Sequence, residues 1–263
     1  MTDLARLLRA AALAGGVTRA ARTALRRTKP GGAAVWDRTN HAGRDVDLCA
    51  GPAVTLGVAA GALAADPGTR GAALIATVAA GACGAYDDVA GAGDPRRGPR
   101  AHLGALREGE LTSGAVKLFG ISAAGLVAGA LLKERWADRA LAGVVVAGTA
   151  HFLNLVDVRP GRAAQAALVL GSAGLVRGSL AAAPMGAAVA VLPDDLAERG
   201  MLGDAGAHAL GAALGVAIVA GNGRAGLLAH GAGLVAAAAC GARVSAWAAK
   251  DLTAARQGPG PRA

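Results

Sequence analysis

Apolar blocks of 15 to 21 residues, almost free of charge, recur eight times along the chain, at 48–65, 69–86, 113–132, 138–156, 163–177, 179–193, 205–221 and 225–245. A helix needs about 20 predominantly apolar residues to cross the hydrocarbon core of a bilayer. No other feature narrows the fold as far. Only 17% of residues are charged and 54% are hydrophobic, against about 25% charged in ordinary soluble domains. An Ala/Gly-rich soluble bundle would not need near-spanning apolar runs so often. The spacing predicts an all-α, polytopic transmembrane helical bundle of about 8–9 spans. The fifth and sixth blocks are short, and Pro184 sits inside the sixth.

Residues 1–30 set Leu4, Leu7, Leu8, Ala12 and Leu13 at helical spacing among Arg6, Arg9, Arg19, Arg22, Arg26 and Arg27. That pattern reads as an amphipathic interfacial helix or a degraded first span, not as a cleaved signal peptide. The chain divides into this basic helix with a cytoplasmic loop (1–47), a transmembrane domain (48–247) and a short cytoplasmic tail (248–263). With the segment before residue 48 cytoplasmic and the blocks alternating, 21 of the 27 Arg and Lys fall on the cytoplasmic side. Positive charge is enriched in that way on the inner face of membrane proteins. Tyr86, Trp136 and Trp247 lie at block ends, and Trp36 between the basic N-terminal helix and the first block, where interfacial aromatics belong. The net charge of +9 does not point to nucleic acid, because Phe, Trp and Tyr make up only 2% of the chain and base-stacking platforms are scarce. Cys49, Cys83 and Cys240 form no CxxC pair and read as small buried hydrophobes, with neither a disulfide framework nor a metal site implied.

This topology brings three polar clusters to the cytoplasmic face: YDDVAG at 86–91, NLVDVRPGR at 154–162 and GDAG at 203–206, with Asp66 on the opposite side. Asp87 and Asp88 are either a solvated helix end or a site for Mg²⁺ or a transferable proton, since Mg²⁺ takes one or two carboxylates together with substrate phosphates. His151, Asn154 and Asp157, spaced i, i+3 and i+6, form a stripe running to the water boundary. Asn154 and Asp157 could bind a nucleotide or order a metal's water shell, whereas His151 alone reads best as a core histidine. Asp204 opens a block, where an acid favours the helix dipole in its own right. Gly203 and Gly206 beside it would let a ligand or a second helix approach closely. Arg96, Arg97, Arg100 and Arg107 suit phosphates but follow equally from the positive-inside bias. Lys117, one turn into a span, is the stronger candidate, because a charge there is costly and has a reason.

The ordered set RTNHAGRDVDLCAGPAV (38–54), AYDDVAG (85–91), NLVDVRPG (154–161) and GDAGAHALG (203–211) resembles the polyprenyl-phosphate N-acetylhexosaminyl-1-phosphate transferases. This is glycosyltransferase family 4, which includes phospho-N-acetylmuramoyl-pentapeptide transferase. The resemblance runs from about residue 38 to residue 245. It implies transfer of a sugar-1-phosphate from a UDP-sugar to a polyprenyl phosphate with release of UMP, assisted by Mg²⁺, in cell-envelope glycan synthesis at the plasma membrane. Membrane lipid is then a further partner and a homodimer a candidate assembly. By the same resemblance Asp87, Asp88 and Asp157 are the catalytic acids. Asn154, Lys117 and Arg159 bind substrate, and Asp204 with Asp88 holds the metal. His151, Val158, Pro160, Ala207 and His208 depart from the family pattern, and AWAAKDLTAARQGPGPRA at 246–263 contains no histidine where the family places a histidine-rich loop. These departures leave room for a second expectation, a non-enzymatic paralogue that binds lipid or nucleotide as a scaffold.

Overall fold

The computed structural model describes residues 3–40, 42–96 and 98–250. His41 and Arg97, both within stretches singled out above, and the tail from residue 251 onward lie outside the described residues. Helix α1 (Asp3–Thr28) leads through the short α2 (Ala33–Trp36) into a hairpin of β1 (Asp37–Thr39) and β2 (Asp45–Asp47). Then follow α3 (Ala50–Ala64), α4 (Pro67–Ala90), α5 (Gly98–Arg107), α6 (Ser113–Leu132), α7 (Trp136–Val156), α8 (Arg162–Gly174), α9 (Ala182–Leu196), α10 (Gly203–Ala220), α11 (Arg224–Ala239) and α12 (Gly241–Ala248). The fold is all-helical apart from that antiparallel hairpin, whose register pairs Asp37 with Asp47 and Arg38 with Val46.

Each apolar block has become a helix, but they are not equal. Helices α4, α6, α7 and α10 are long and apolar enough to cross a membrane. A fifth span results if α11 and α12, which meet at 84°, are counted as one. Helices α3, α8 and α9 have 15, 13 and 15 residues, and at 1.5 Å per residue none reaches the roughly 30 Å of hydrocarbon alone. Large apolar side chains point outward along the bundle, among them Leu56, Leu63, Ile75, Val78, Phe119, Leu126 and Val144. Side chains of this kind, exposed in such number on long apolar helices, suit a lipid-facing surface. Tyr86, Trp136 and Trp247 are exposed near helix ends. Of the cysteines, Cys49 is buried and Cys83 half-buried, but Cys240 is exposed, contrary to the expectation that all three would be buried.

Helix α10 is the centre: 14 of its 18 residues are buried, and it packs on α3, α4, α7 and α8. Small residues make this closeness possible. A Cβ on Gly211 would lie 2.5 Å from the Thr149 carbonyl oxygen, and one on Gly215 2.7 Å from the Val146 Cα, both on α7. Helix α1 joins the bundle by the same device. Its fully buried Ala10, Ala14 and Thr18 lie one turn apart and face Gly57 and Gly61 of α3. This is the small-xxx-small contact by which membrane helices approach. The leucines Leu4, Leu8 and Leu13 point outward. The helix therefore lies against α3 and α9, burying Ala10, Ala14 and Thr18, with Leu7 packed against the core and Leu4, Leu8 and Leu13 outward.

The two ends of the bundle are tied by different polar contacts. At one end Arg6 pairs with Asp66 at 3.0 Å, Asp66 accepts the Ser179 N–H at 3.0 Å, and Lys133 donates to the Asn222 carbonyl at 2.8 Å. The Ser179 N–H, then the Arg6 guanidinium, hold the Asp66 carboxyl below the usual carboxylate range, against the opposing pull of burial. A depressed folded value contributes stability that is complete above the unfolded aspartate value, about 3.9, and is lost as pH falls through the folded value. Thermal melting in detergent is expected to show an acid-dependent loss in the wild type that Asp66→Asn flattens; identical pH profiles would exclude this contribution.

Candidate active site

The opposite end gathers the acids. Asp87 and Asp88 occupy the last turn of α4, and consecutive residues of a helix diverge by about 100°, so the two carboxylates face different partners. Asp88 turns to α10, its oxygens accepting the main-chain N–H groups of Asp204 at 2.9 Å and Ala205 at 3.0 Å. A helix begins with N–H groups that lack intrahelical acceptors, and Leu202 at the cap position supplies none. Asp88 thus caps a neighbouring helix. Gly203, with φ of 58°, belongs to this arrangement: a Cβ there would sit 2.8 Å from Asp88 Oδ2.

Asp87 turns to α6, where Lys117 Nζ donates to Asp87 Oδ2 at 2.5 Å and also to Asp204 Oδ2. Three helices therefore meet at one ammonium group. Its own helix starts in a defined place: Thr112 accepts the Ala115 N–H at 3.1 Å, a standard N-cap, and its hydroxyl meets His102 Nδ1 of α5 at 3.0 Å. Arg38 of β1 reaches across to donate to the Asp88 carbonyl at 3.0 Å. A cavity of about 400 Å³ opens here, walled by Arg38, Asp87, Asp88, Lys117, Asn154 and Asp204.

Five of the seven expected site residues are thereby brought together. The other two, Asp157 and Arg159, line a neighbouring cavity of about 610 Å³ with Asn40, Asp195, Glu198 and Met201. Burial, then the carboxylates of Asp195, Asp204 and Asp88, push the Asp157 carboxyl well above the usual range. Asp195 accepts the Gly161 N–H at 3.0 Å, and Asn40 donates to Glu198 at 2.6 Å. His151 is half-buried and lines a third, smaller cavity of about 190 Å³ beside Lys117, Asn154 and His208.

The first cavity also takes in residues not expected there: Arg38, Asp94, His102 and Ser113. Arg96 lines it as well and pairs with Asp94 at 2.9 Å and with Glu110 at 2.6 Å, holding both carboxyls below their ordinary values. Arg100 and Arg107 are exposed, as solvent-facing basic residues are. Only Arg38 carried a signal in sequence, lying at the head of the 38–54 stretch. His102 and Ser113 owe their position to the fold of α5 back onto the start of α6.

The donor set can be weighed against Mg²⁺. Asp87 and Asp204 each place a carboxylate oxygen on one nitrogen, so the two can share a single cation. Among the described residues no three His, Cys, Asp or Glu side chains form a metal-binding group, and both Asp88 oxygens already accept N–H bonds. A divalent ion would therefore fit as Mg²⁺ commonly does, on two carboxylates completed by phosphate and water oxygens. Two acids around a cation, with Arg38, Lys117 and Asn154 in the same wall, suit a ligand carrying phosphates. No family model matches this chain, and no curated protein matches it in sequence.

Proposed function

We propose that the protein is an integral-membrane transferase that moves a sugar-1-phosphate from a UDP-sugar to a polyprenyl phosphate and releases UMP. The observation that carries this reading is the convergence of Asp87, Lys117 and Asp204 from three helices on one cavity at a polar end of the bundle. In this reading the bundle sits in the plasma membrane with the cavity on the cytoplasmic side. Helices α1, α3, α8, α9 and the bent α11–α12 pair complete eight or nine crossings of a locally thinned or tilted kind.

An oxygen of the acceptor lipid phosphate attacks the β-phosphorus of the UDP-sugar, and the bond from that phosphorus to the bridging oxygen breaks, leaving UMP. Such transfers need little covalent help, and positioning with charge neutralisation supplies most of the rate. Lys117 and Arg38 hold phosphate oxygens, Asn154 orients the nucleotide side, and Asp87 accepts a proton if the lipid phosphate arrives protonated. Asp204 and Asp87 are the residues that would hold Mg²⁺, whose chemistry when bound is to neutralise charge on the diphosphate. Asp88 positions Asp204 through its main-chain bonds. Asp157 and Arg159, one cavity away, serve the nucleotide.

The test is isotope exchange. Purified protein with labelled UMP, Mg²⁺, polyprenyl phosphate and a panel of UDP-N-acetylhexosamines is expected to move label into one UDP-sugar, and only with the lipid present. A folded protein that exchanges none of them overturns the transferase reading and favours a lipid- or nucleotide-binding scaffold.

A further inference from the structure

The Lys117 ammonium stands where a divalent cation bridging Asp87 and Asp204 would have to stand. It bonds to one carboxylate oxygen of each. The side chains of Lys117, Asp87 and Asp204 are only 17, 18 and 25% exposed, so water screens the group weakly. A divalent ion placed on those two oxygens would lie almost in contact with the ammonium nitrogen, and two like charges at such range repel strongly. The ion and the ammonium therefore exclude each other.

The lysine has somewhere to go. Its four-carbon stem is flexible and its charge compact, and it borders two cavities, of about 400 and 190 Å³. Of the described cations lining the larger cavity, Arg38 donates to the Asp88 carbonyl and Arg96 pairs with Asp94 and Glu110, whereas Lys117 bridges the Asp87 and Asp204 carboxylates. Lys117 is accordingly the cation that an incoming phosphate can draw off the two carboxylates, uncovering both for a metal ion.

We infer that Lys117 is a resident cation of the metal site, keeping divalent ions out until a phosphate-bearing ligand pulls it aside, so that anion and metal bind cooperatively. The inference rests on the proposed use of Asp87 and Asp204 as metal ligands but requires no transfer reaction. Because binding linkage is reciprocal, bound metal raises phosphate affinity by the same factor.

Manganese is the probe, followed by loss of the free-ion electron paramagnetic resonance signal, with inorganic phosphate as the anion and protein-free controls at each concentration. Wild-type protein is expected to bind Mn²⁺ about tenfold more tightly with phosphate present. Lys117→Met and Lys117→Gln are expected to bind Mn²⁺ without phosphate about tenfold more tightly than wild type, with the phosphate enhancement reduced. Asp204→Asn removes the binding. Wild-type protein that binds Mn²⁺ equally well with and without phosphate overturns the inference, a result that needs no variant to fold. Phosphate-linked Mn²⁺ binding without UMP exchange would retain the inference and reject the transferase. Exchange with phosphate-independent Mn²⁺ binding would do the reverse.

Discussion

Asp204→Asn and Asp87→Asn are each expected to reduce UMP exchange by about 10³-fold, the upper range for loss of one preorganised charge-stabilising group, with little change in melting temperature. Each substitution keeps side-chain shape and removes a carboxylate from around the Lys117 ammonium. The buried lysine keeps one partner, so the fold is not left with an unpaired charge. Asp88→Asn should behave differently. Its carboxylate accepts two main-chain N–H groups of α10, and hydrogen bonds to a charged group are worth about 1.5–3 kcal/mol each. An amide retains only one good acceptor. Asp88→Asn is therefore expected to lower stability by about 1–3 kcal/mol as well as activity. Parallel melting curves and exchange rates for the three variants check the distinction. Equal melting temperatures across all three would reject the capping role of Asp88. Full exchange in Asp204→Asn would reject the transferase.

Those roles mark where the sequence could and could not be read. The block at 113–132 coincides with α6, and 205–221 lies within two residues of α10, because long apolar runs become helices whatever surrounds them. The block at 69–86 ended at the first carboxylate, yet α4 continues to Ala90. Polarity marks the membrane boundary, not the end of the hydrogen-bond ladder, and this is why Asp87 and Asp88 stand on a helix and diverge. The block at 225–245 read as one span, while the chain turns by 84° between α11 and α12, a bend no apolar count can register. In α1 the leucines stood out at helical spacing, but the face packed against α3 is made by Ala10, Ala14 and Thr18. In a bundle packed through glycine, proximity is set by small residues, and large ones are left for the outside. The hairpin that carries Arg38 to the Asp88 carbonyl has strands of three residues each, too short for alternation to show. Asp157 and Arg159 share a sequence motif with Asn154, but Asp157 caps α7 and the chain then leaves for a separate cavity. Motif spacing alone could not divide them.

Gly84→Ala is expected to disable the site by adding one methyl group. Gly84 lies one turn before Asp88 on α4, on the face toward α10, since residues four apart share a helix face. A Cβ at 84 would lie 2.5 Å from the carbonyl carbon and oxygen of Asp204 and 2.6 Å from the Ala205 nitrogen. These are main-chain atoms and cannot rotate aside, so the two helices must separate. Overpacking of this kind costs typically about 1–3 kcal/mol. The separation also falls on the first turn of α10, where Asp88 holds the main chain and Lys117 holds the Asp204 carboxylate. Displacement of reacting groups by about 1 Å can cost roughly 10²-fold in rate. Gly68→Ala in the first turn of the same helix is the control. A Cβ there meets nothing within 4 Å, and replacing a helical glycine by alanine favours the helix by up to about 1 kcal/mol. Thermal melting should therefore show Gly84→Ala destabilised and Gly68→Ala unchanged or stabilised, while exchange falls only in the former. If Gly84→Ala melts and exchanges like the wild type, α4 and α10 do not touch at this point, and the aspartates cannot be held together as described.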